Sequence, residues 1–228
     1  MPSGERRIIP LGISELFLAA LPGESPPRRA IFTSNPLRSL DWLLDVWCER
    51  IHPAAPDAEL HIFSGPQTYG ALGAAKTRSM LPVLERARSL AHAGVVMRGT
   101  VPKAILVEEL RQTRVYLYRG DPGETFCLSA AEAQALGVPG VVEDIACMRE
   151  RISDEQTGFV VRGVEAFAAA AIRLLTDDAL WQAQHRQALA TQRRLRWAEA
   201  AMAFERLIPG FHATGELITD GYRSSMRG

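Results

Sequence analysis

Charge imbalance, long apolar runs and a leader pattern are all missing from this 228-residue sequence. Its 26 lysine and arginine residues balance 26 aspartate and glutamate residues, so no overall field favours nucleic acid, and we expect no nucleic-acid partner. No stretch of about 18 apolar residues suggests a membrane-spanning helix. The first residues do not have the pattern of a signal peptide, so we expect a cytoplasmic protein that is at most peripheral to a membrane.

Cysteines are few and far apart. Cys48, Cys127 and Cys147 form no Cys-x-x-Cys pair and have no histidine at close spacing, so neither a disulfide framework nor a structural zinc site can be read. No serine, histidine and acid constellation can be assigned either. His61 lies inside a predicted strand, where a core histidine is the favoured interpretation. We predict no metal and no cofactor.

Glycine-rich phosphate-binding motifs are also missing. A dinucleotide site needs Gly-x-Gly-x-x-Gly after the first strand, whereas the turn at that place, residues 34–39, contains no glycine. Residues 65–70 have glycines at P-loop spacing, but Ala71 and Leu72 stand where that loop needs lysine and then serine or threonine. The sequence therefore argues against a nicotinamide or flavin oxidoreductase, and we interpret 65–70 as a plain loop.

Short β-branched or apolar runs alternate with longer helical patterns along most of the chain. The predicted strands are Ala30–Thr33, Glu59–Phe63, Gly94–Met97, Val115–Tyr118, Gly140–Val142 and Gly158–Val161. The predicted helices between them lie near Leu37–Cys48, Lys76–Ala93, Ala104–Gln112, Cys127–Leu136 and Ala146–Ile152. This alternation predicts an α/β fold, a Rossmann-like doubly wound parallel sheet of about six strands with helices on both faces. Ligands of such sheets bind at the carboxyl ends of the strands.

Composition divides the chain into three parts. Residues 1–29 are rich in proline and are interpreted as a linker or entry segment, and residues 30–195 as the Rossmann-like domain. Extra C-terminal helices are predicted over Val164–Thr176, Asp177–Gln192 and Arg196–Leu207. Residues 196–228 are expected to form a C-terminal helix and a tail.

The segment from Gly120 to Gly140 contains two carboxylates in a distinctive pattern. On a helix over Cys127–Leu136, the side chains of Leu128, Glu132 and Leu136 fall four apart on one apolar stripe. A buried carboxylate needs partners because its desolvation is costly, and a ligand with hydroxyl groups would supply them.

Glu124 precedes the same helix, where unpaired amides and the positive end of the helix dipole favour an anion. Along a helix the two glutamates are at most about 12 Å apart. A nucleotide sugar, with its sugar, diphosphate and ribose in that order, has parts to match this spacing. The alternatives are that Glu124 only favours the helix start and that Glu132 reaches the surface.

This segment resembles the two-glutamate motif, Glu, seven residues, Glu, of retaining glycosyltransferases with the GT-B fold, family 4 in particular. Gly137–Pro139 and residues 150–159, with their Thr-Gly turn, are similar to the family's continuation. Ile8–Ile13 resembles the start of the family's second domain, and Trp197–Leu207 its terminal helix. The resemblance spans residues 8–208 and implies the donor-binding half of such an enzyme.

The resemblance also implies roles for individual residues. Glu124 would contact the donor sugar and Glu132 the ribose hydroxyls, while the base would rest near residues 98–101. The implied catalytic residues are Glu124 and Arg38. The implied donor-binding set is Ser34, Asn35, Arg38, Gly99, Val101, Glu124, Thr125, Phe126, Cys127, Leu128 and Glu132, with the amides of Phe126, Cys127 and Leu128 against sugar and phosphate.

The sequence departs from the family pattern in two ways. The family places an arginine and then a Lys-Gly pair after its first strand, whereas here Ser34 and Asn35 take the first place and Arg38-Ser39 the second. Arg38 can make a forked contact with phosphate, or it is a solvated residue in the first turn of a helix. The family's acceptor-binding domain would precede residue 8. We therefore expect the acceptor to be bound by a separate domain or subunit.

Two functions stay open on this evidence. One is a glycosyltransferase that transfers a sugar from a nucleotide diphosphate sugar with retention of configuration, its acceptor half supplied by another polypeptide or lost. The other is a non-catalytic nucleotide-sugar-binding or scaffold module; a third, an epimerase of similar architecture, lacks the glycine-rich turn. Arginines near Trp181 and Trp197 predict either peripheral membrane contact or a solvated helix face: Arg186, Arg193, Arg194 and Arg196.

Overall fold

The computed structural model describes residues 6–19, 25–67 and 73–208. It divides into two compact units. The described residues of Ile13–Arg194 form one unit, which contains the sheet, and the described residues before Ile13 and after Arg194 form the other. The domain boundaries expected at residues 29 and 195 stay predictions. Residues 68–70 of the glycine-spaced loop lie outside the described residues, as do Ala71 and Leu72.

Six parallel strands form the sheet, as the sequence predicts. They are β1 Arg29–Phe32, β2 Glu59–Ile62, β3 Val95–Met97, β4 Val115–Tyr118, β5 Gly140–Glu143 and β6 Gly158–Val161. The strand order is β3-β2-β1-β4-β5-β6, with Ile31 of β1 opposite His61 on one side and Tyr116 on the other. From β1 the chain adds strands first on one side, β2 and then β3, and then on the other side, β4 to β6, so the switch point lies between β1 and β4. Crevices at such switch points are where these sheets bind ligands.

Helices connect and cover the strands. Their bounds are α1 Glu15–Ala19, α2 Leu40–Val46, α3 His52–Ala54, α4 Gly73–Ser89, α5 Lys103–Arg111, α6 Leu128–Ala135, α7 Met148–Arg151, α8 Val164–Thr176, α9 Asp178–Thr191 and α10 Trp197–Glu205. A π-helical turn, Trp47–Ile51, joins α2 to α3, and a 3₁₀ turn covers Ala91–Ala93. The Rossmann-like doubly wound fold with extra C-terminal helices is thus confirmed.

The core follows from strands that are apolar on both faces. Every residue of β4 is fully buried, as are Ala30, Ile31 and Phe32 of β1. Parallel sheets covered by helices on both faces favour such continuous apolar runs over alternation. His61 is 2% exposed, and its Nε2 lies 2.8 Å from Glu59 Oε2. Burial lowers the pKa of His61, so the prediction of a core histidine is confirmed.

The helix predicted over Leu37–Cys48 begins three residues late, at Leu40, and α2 ends at Val46, where the π-helical turn Trp47–Ile51 follows it. Asn35 Oδ1 accepts a hydrogen bond from the Leu37 amide at 2.9 Å, and the Asn35 carbonyl accepts one from the Arg38 amide at 2.9 Å. Ser39 has a left-handed backbone, with φ of 65°. This turn delays α2 to Leu40. Arg38 therefore lies in the loop before the helix, and its placement in a first helical turn is wrong.

Strands β5 and β6 approach each other closely at two glycines. A Cβ on Gly158, whose φ is +151°, would lie 2.1 Å from the Gly140 carbonyl oxygen. Thr157, fully buried, accepts the Ser153 amide with Oγ1 at 3.0 Å. The Thr-Gly turn is therefore required by the packing of two backbones.

Trp181 is not part of an exposed patch, so the prediction of a membrane-contacting surface that includes Trp181 is wrong for this residue. It is 4% exposed, and its Nε1 donates to the Arg114 carbonyl at 2.9 Å. Arg193 Nε is also engaged, with the Ala135 carbonyl at 2.7 Å. Trp197, by contrast, is 48% exposed at the start of α10 in the other unit. None of the described helices combines the length and the apolar character needed to cross a membrane.

Candidate active site

Two loops meet at the carboxyl edge of the sheet, beside the switch point between β1 and β4. One follows β1 over residues 33–39 and the other follows β4 over residues 119–127. Ser39 Oγ donates to the Gly120 carbonyl at 3.0 Å and joins them. The left-handed turn at Ser39 thus has a second role, because it fixes the loop that carries Arg38.

The two residues expected to be catalytic contact each other here. Arg38 Nη1 donates to Glu124 Oε2 at 2.7 Å, and the Tyr118 hydroxyl donates to the same oxygen at 3.1 Å. Partial burial lowers the pKa of Arg38, but the negative charge and hydrogen bond of Glu124 outweigh it and raise that pKa on balance. Burial raises the pKa of Tyr118 well above its usual value, so this phenol remains a donor.

The loop that presents Glu124 has its own local structure. Asp121 Oδ1 accepts the Gly123 amide at 2.8 Å, and the Asp121 carbonyl accepts the Glu124 amide at 2.9 Å. The resulting turn aims the Glu124 carboxylate toward β1, where Arg38 meets it. Its charge is therefore directed at Arg38 as well as at the start of α6. Thr125 follows in an exposed position.

The amino-terminal end of α6 begins from an unusual backbone. Cys127, at the N-cap, has φ of 57°, which is the left-handed region. Within the described part of the chain, the amides of Phe126, Cys127 and Leu128 have no hydrogen-bond acceptor. Such amides at a helix start can bind an anion. Burial raises the pKa of the Cys127 thiol, which is therefore not an activated nucleophile.

The apolar stripe of α6 is confirmed for Glu132 and Leu136, and is wrong for Leu128. Glu132 and Leu136 are 5% and 1% exposed, whereas Leu128 is 41% exposed. Leu128 occupies the first turn, which extends beyond the packed surface.

Glu132 has a partner that sequence reasoning missed. Lys103 Nζ donates to both Glu132 oxygens, at 2.6 and 2.7 Å. The Lys103 side chain is 53% exposed, and that of Glu132 7%. The sequence suggested ligand hydroxyl groups as the partners of the buried Glu132 carboxylate. In the structure, Lys103, 29 positions away, is a partner of that carboxylate. The sequence signal that could have indicated this contact is the position of Lys103, a cation directly after Pro102 at the start of a helix.

The remaining predicted residues lie around the same edge. The Ser34 carbonyl accepts Ser64 Oγ at 2.6 Å, and Asn35 forms the turn described above. Gly99 has φ of +70°, with open space where a Cβ would be, and Val101 is half-buried. Arg98 bonds to Glu109 and lies 5.7 Å from the Phe63 ring centre. These are the loops after β1 and β3, on the sheet edge shared with Glu124.

Arg151 was also missed. It is 8% exposed, and its guanidinium carbon lies 4.3 Å from the centre of the Phe126 ring. The stack holds the Phe126 side chain below the start of α6. No sequence signal at position 151 distinguished it from an ordinary helical arginine.

Comparison with known families decides what class of protein carries this site. The model for glycosyl transferases group 1 matches residues 29–177, which is more than half of the chain. The chain belongs to this family. No curated protein sequence matches it. Within the region that matches the family, the chain carries the Arg38 and Glu124 pair.

Solved structures confirm the fold of this group 1 chain. Sucrose-phosphate synthase from Thermosynechococcus elongatus is 20% identical with a TM-score of 0.69, over 90% of this chain and 52% of that one. The pneumococcal O-GlcNAc transferase GtfA, in complex with UDP and GlcNAc, is 19% identical with a TM-score of 0.63, over 86% and 38%. The C-terminal domain of a Francisella tularensis group 1 glycosyl transferase is 13% identical with a TM-score of 0.54, over 75% and 85%. The chain thus spans about half or less of the first two.

Proposed function

We propose that the chain is the donor-binding half of a glycosyltransferase that transfers a sugar from a nucleotide diphosphate sugar with retention of anomeric configuration. One observation carries the proposal: Arg38 and Glu124 meet at the switch point of the sheet, beside the start of α6. A cation, a carboxylate and unpaired amides together suit a ligand that has both phosphates and hydroxyls.

The proposed donor follows the order of these groups. Arg38 and the amides of Phe126, Cys127 and Leu128 bind the diphosphate, and Glu124 accepts hydroxyls of the sugar. Glu132, about one helical turn after Leu128 on α6, accepts hydrogen bonds from the ribose hydroxyls. The base lies against the loop of Gly99 and Val101, where open space beside Gly99 supports it.

The reaction then breaks the bond between the anomeric carbon and the diphosphate oxygen. The acceptor oxygen forms the new bond on the same face of the sugar and loses its proton, and the nucleoside diphosphate leaves. Negative charge develops on the departing diphosphate, where Arg38 and the α6 amides stabilise it. The acceptor is bound by a separate domain or subunit, a proposal supported by the span of this chain relative to the longer structures.

Calorimetric titration tests the proposal at its first step. Nucleoside diphosphates of uracil, guanine and adenine are titrated into the protein, because the proposal does not specify the base of the donor. We expect one of them to bind. UDP is tried first since the pneumococcal structure contains it. Absence of binding at millimolar concentration with every base would contradict the proposal. Turnover is then followed with the matching nucleotide sugar, and the anomeric configuration of the product by NMR.

A non-catalytic nucleotide-sugar-binding module is the second candidate, and one observation favours it. Between residues 33 and 39, Arg38 is the single cation, and it is already paired with Glu124. Slow hydrolysis of the bound nucleotide sugar that disappears in Glu124→Gln would favour the enzyme. Tight binding of the nucleotide sugar without hydrolysis or transfer would favour the module.

A further inference from the structure

Lys103 lies where helix electrostatics disfavours a cation. It is the first residue of α5, and the positive end of a helix dipole repels an ammonium group. Its Nζ nevertheless bridges both oxygens of Glu132 and lies 5.5 Å from the centre of the Phe17 ring on α1. Phe17 is fully buried. The contacts with Glu132 and Phe17 therefore account for the placement of this cation.

Lysine is also a rare choice in this chain. Lys76 and Lys103 are the two lysines among 26 basic residues, and the others are arginines. An ammonium is a compact charge that can touch both oxygens of one carboxylate. A carboxylate has about four lone-pair sites, so this contact leaves two of them for other donors.

We propose that Lys103 is a positioning residue of the donor site, which holds the Glu132 carboxylate so that its remaining lone pairs accept the two ribose hydroxyls of a nucleoside diphosphate. This inference rests on the proposed function, in which Glu132 contacts the ribose. Lys103 acts through Glu132, and its own side chain is half exposed.

The electrostatic balance at Glu132 makes the role measurable. Burial raises the pKa of Glu132, and the hydrogen bond and charge of Lys103 lower it. Without Lys103, burial acts unopposed, so the carboxylate takes up a proton at higher pH and becomes a poorer acceptor as the pH falls. Charged groups on the other elements packed against α6 are exposed or contact other residues: Glu15 on α1, Glu143 on β5, Arg151 on α7 and His185 on α9.

The first test compares Lys103→Met with Lys103→Arg by calorimetry, using the ribonucleoside diphosphate that the wild type binds and its 2′-deoxy analogue. For Lys103→Met we expect about ten-fold weaker ribonucleotide binding, the size of effect produced when a hydrogen bond to a charged group is lost. The loss grows as the pH falls, and the preference for ribose over deoxyribose shrinks. Lys103→Arg restores most of the affinity, the wild-type pH dependence and the preference.

A spectroscopic test covers the case in which Lys103→Met fails to fold. Protein labelled with ¹³C at lysine Cε gives two lysine side-chain signals, and Lys76→Arg leaves that of Lys103. We expect the Lys103 signal to move when the ribonucleotide is added and to move less with the 2′-deoxy analogue. An unmoved signal overturns the inference.

The outcomes separate the two proposals. If the wild type binds a nucleoside diphosphate and Lys103→Met keeps its affinity, pH profile and ribose preference, Lys103 has no positioning role and the proposed function stands. If the wild type binds no nucleoside diphosphate, the proposed function fails, and the inference fails with it.

Discussion

Arg38 and Glu124, 86 positions apart in the sequence, are joined by a hydrogen bond of 2.7 Å across the neighbouring ends of β1 and β4. The Arg38 side chain is 38% exposed and the Glu124 side chain 11%. In the proposed function, a diphosphate would reach Arg38 from the solvent side and compete with Glu124 for its hydrogens. The hydrogen bond holds the Arg38 guanidinium at the edge of the sheet.

Replacing Arg38 is expected to weaken diphosphate binding. Arg38→Met removes a charge-assisted contact of about 1.5–3 kcal/mol, so the Kd of the nucleoside diphosphate rises roughly 10-fold to 100-fold. Calorimetry measures it. Arg28→Met is the matched control because Arg28 forms a similar pair, with Asp57 at 2.8 Å, beside the other end of β1. An equal loss in both variants would show that general charge, and not the site, attracts the ligand.

Glu124→Gln is expected to separate binding of the nucleotide from binding of the sugar. The amide keeps the shape of the side chain but loses its charge, so the contact with Arg38 weakens. Affinity for the nucleoside diphosphate changes less than about three-fold, while transfer or hydrolysis of the nucleotide sugar falls by at least about 100-fold. Glu165→Gln, at an exposed pair with Arg50, is the control. Full turnover in Glu124→Gln would remove Glu124 from the reaction.

Because the backbone of Cys127 is left-handed, we predict that glycine is a more stabilising replacement than alanine at this position, the reverse of the usual order. At φ of 57°, Gly is favoured over Ala by about 1 kcal/mol, because it has no Cβ to strain. We therefore expect Cys127→Gly to be more stable than Cys127→Ala in urea denaturation. At Cys147, where φ is −84°, Ala should be the more stable replacement. The same order at both positions would mean that the strain at Cys127 is negligible.

Asp144 is expected to contribute stability that disappears in acid. Hydrogen bonds from Arg149 and Arg162 lower the pKa of Asp144 from 3.8 to about 2. Because the folded pKa lies below the unfolded one, the contribution is present above the unfolded pKa and is lost as the pH falls toward 2. Urea unfolding of wild type and Asp144→Asn should therefore differ at neutral pH and converge in that acid range. If the difference in unfolding free energy between the two proteins stays constant with pH, it arises from packing and not from the charge of Asp144.

Much of the fold could be predicted from local patterns. The bounds of β4, β6 and α8 agree with the sequence prediction residue for residue, and the other strands agree within one residue at either end. Apolar runs and helical periodicity are properties of neighbouring residues, so they can be read without a structure. The burial of Glu132 was predicted in the same way, from its spacing to Leu136.

The mismatches arise where contacts between distant residues override a local pattern. The turn through Asn35 and Ser39 delays α2 because Ser39 bonds to Gly120 on the next loop. Leu128 is exposed although its spacing from Glu132 matches the apolar stripe, since the packed surface ends below the first turn of α6. The exposure of Leu128 has no signature in the residues beside it.

The sequence by itself determined the parallel sheet, its helices and the two glutamates at the ends of one segment, since each follows from side-chain period and chain order. Tertiary structure alone decided the partners: Arg38 for Glu124, and Lys103 for Glu132. Those pairs form because the strand order brings the loops after β1, β3 and β4 to one edge. A buried carboxylate must find a cation in space, and distance along the chain does not restrict which one it finds.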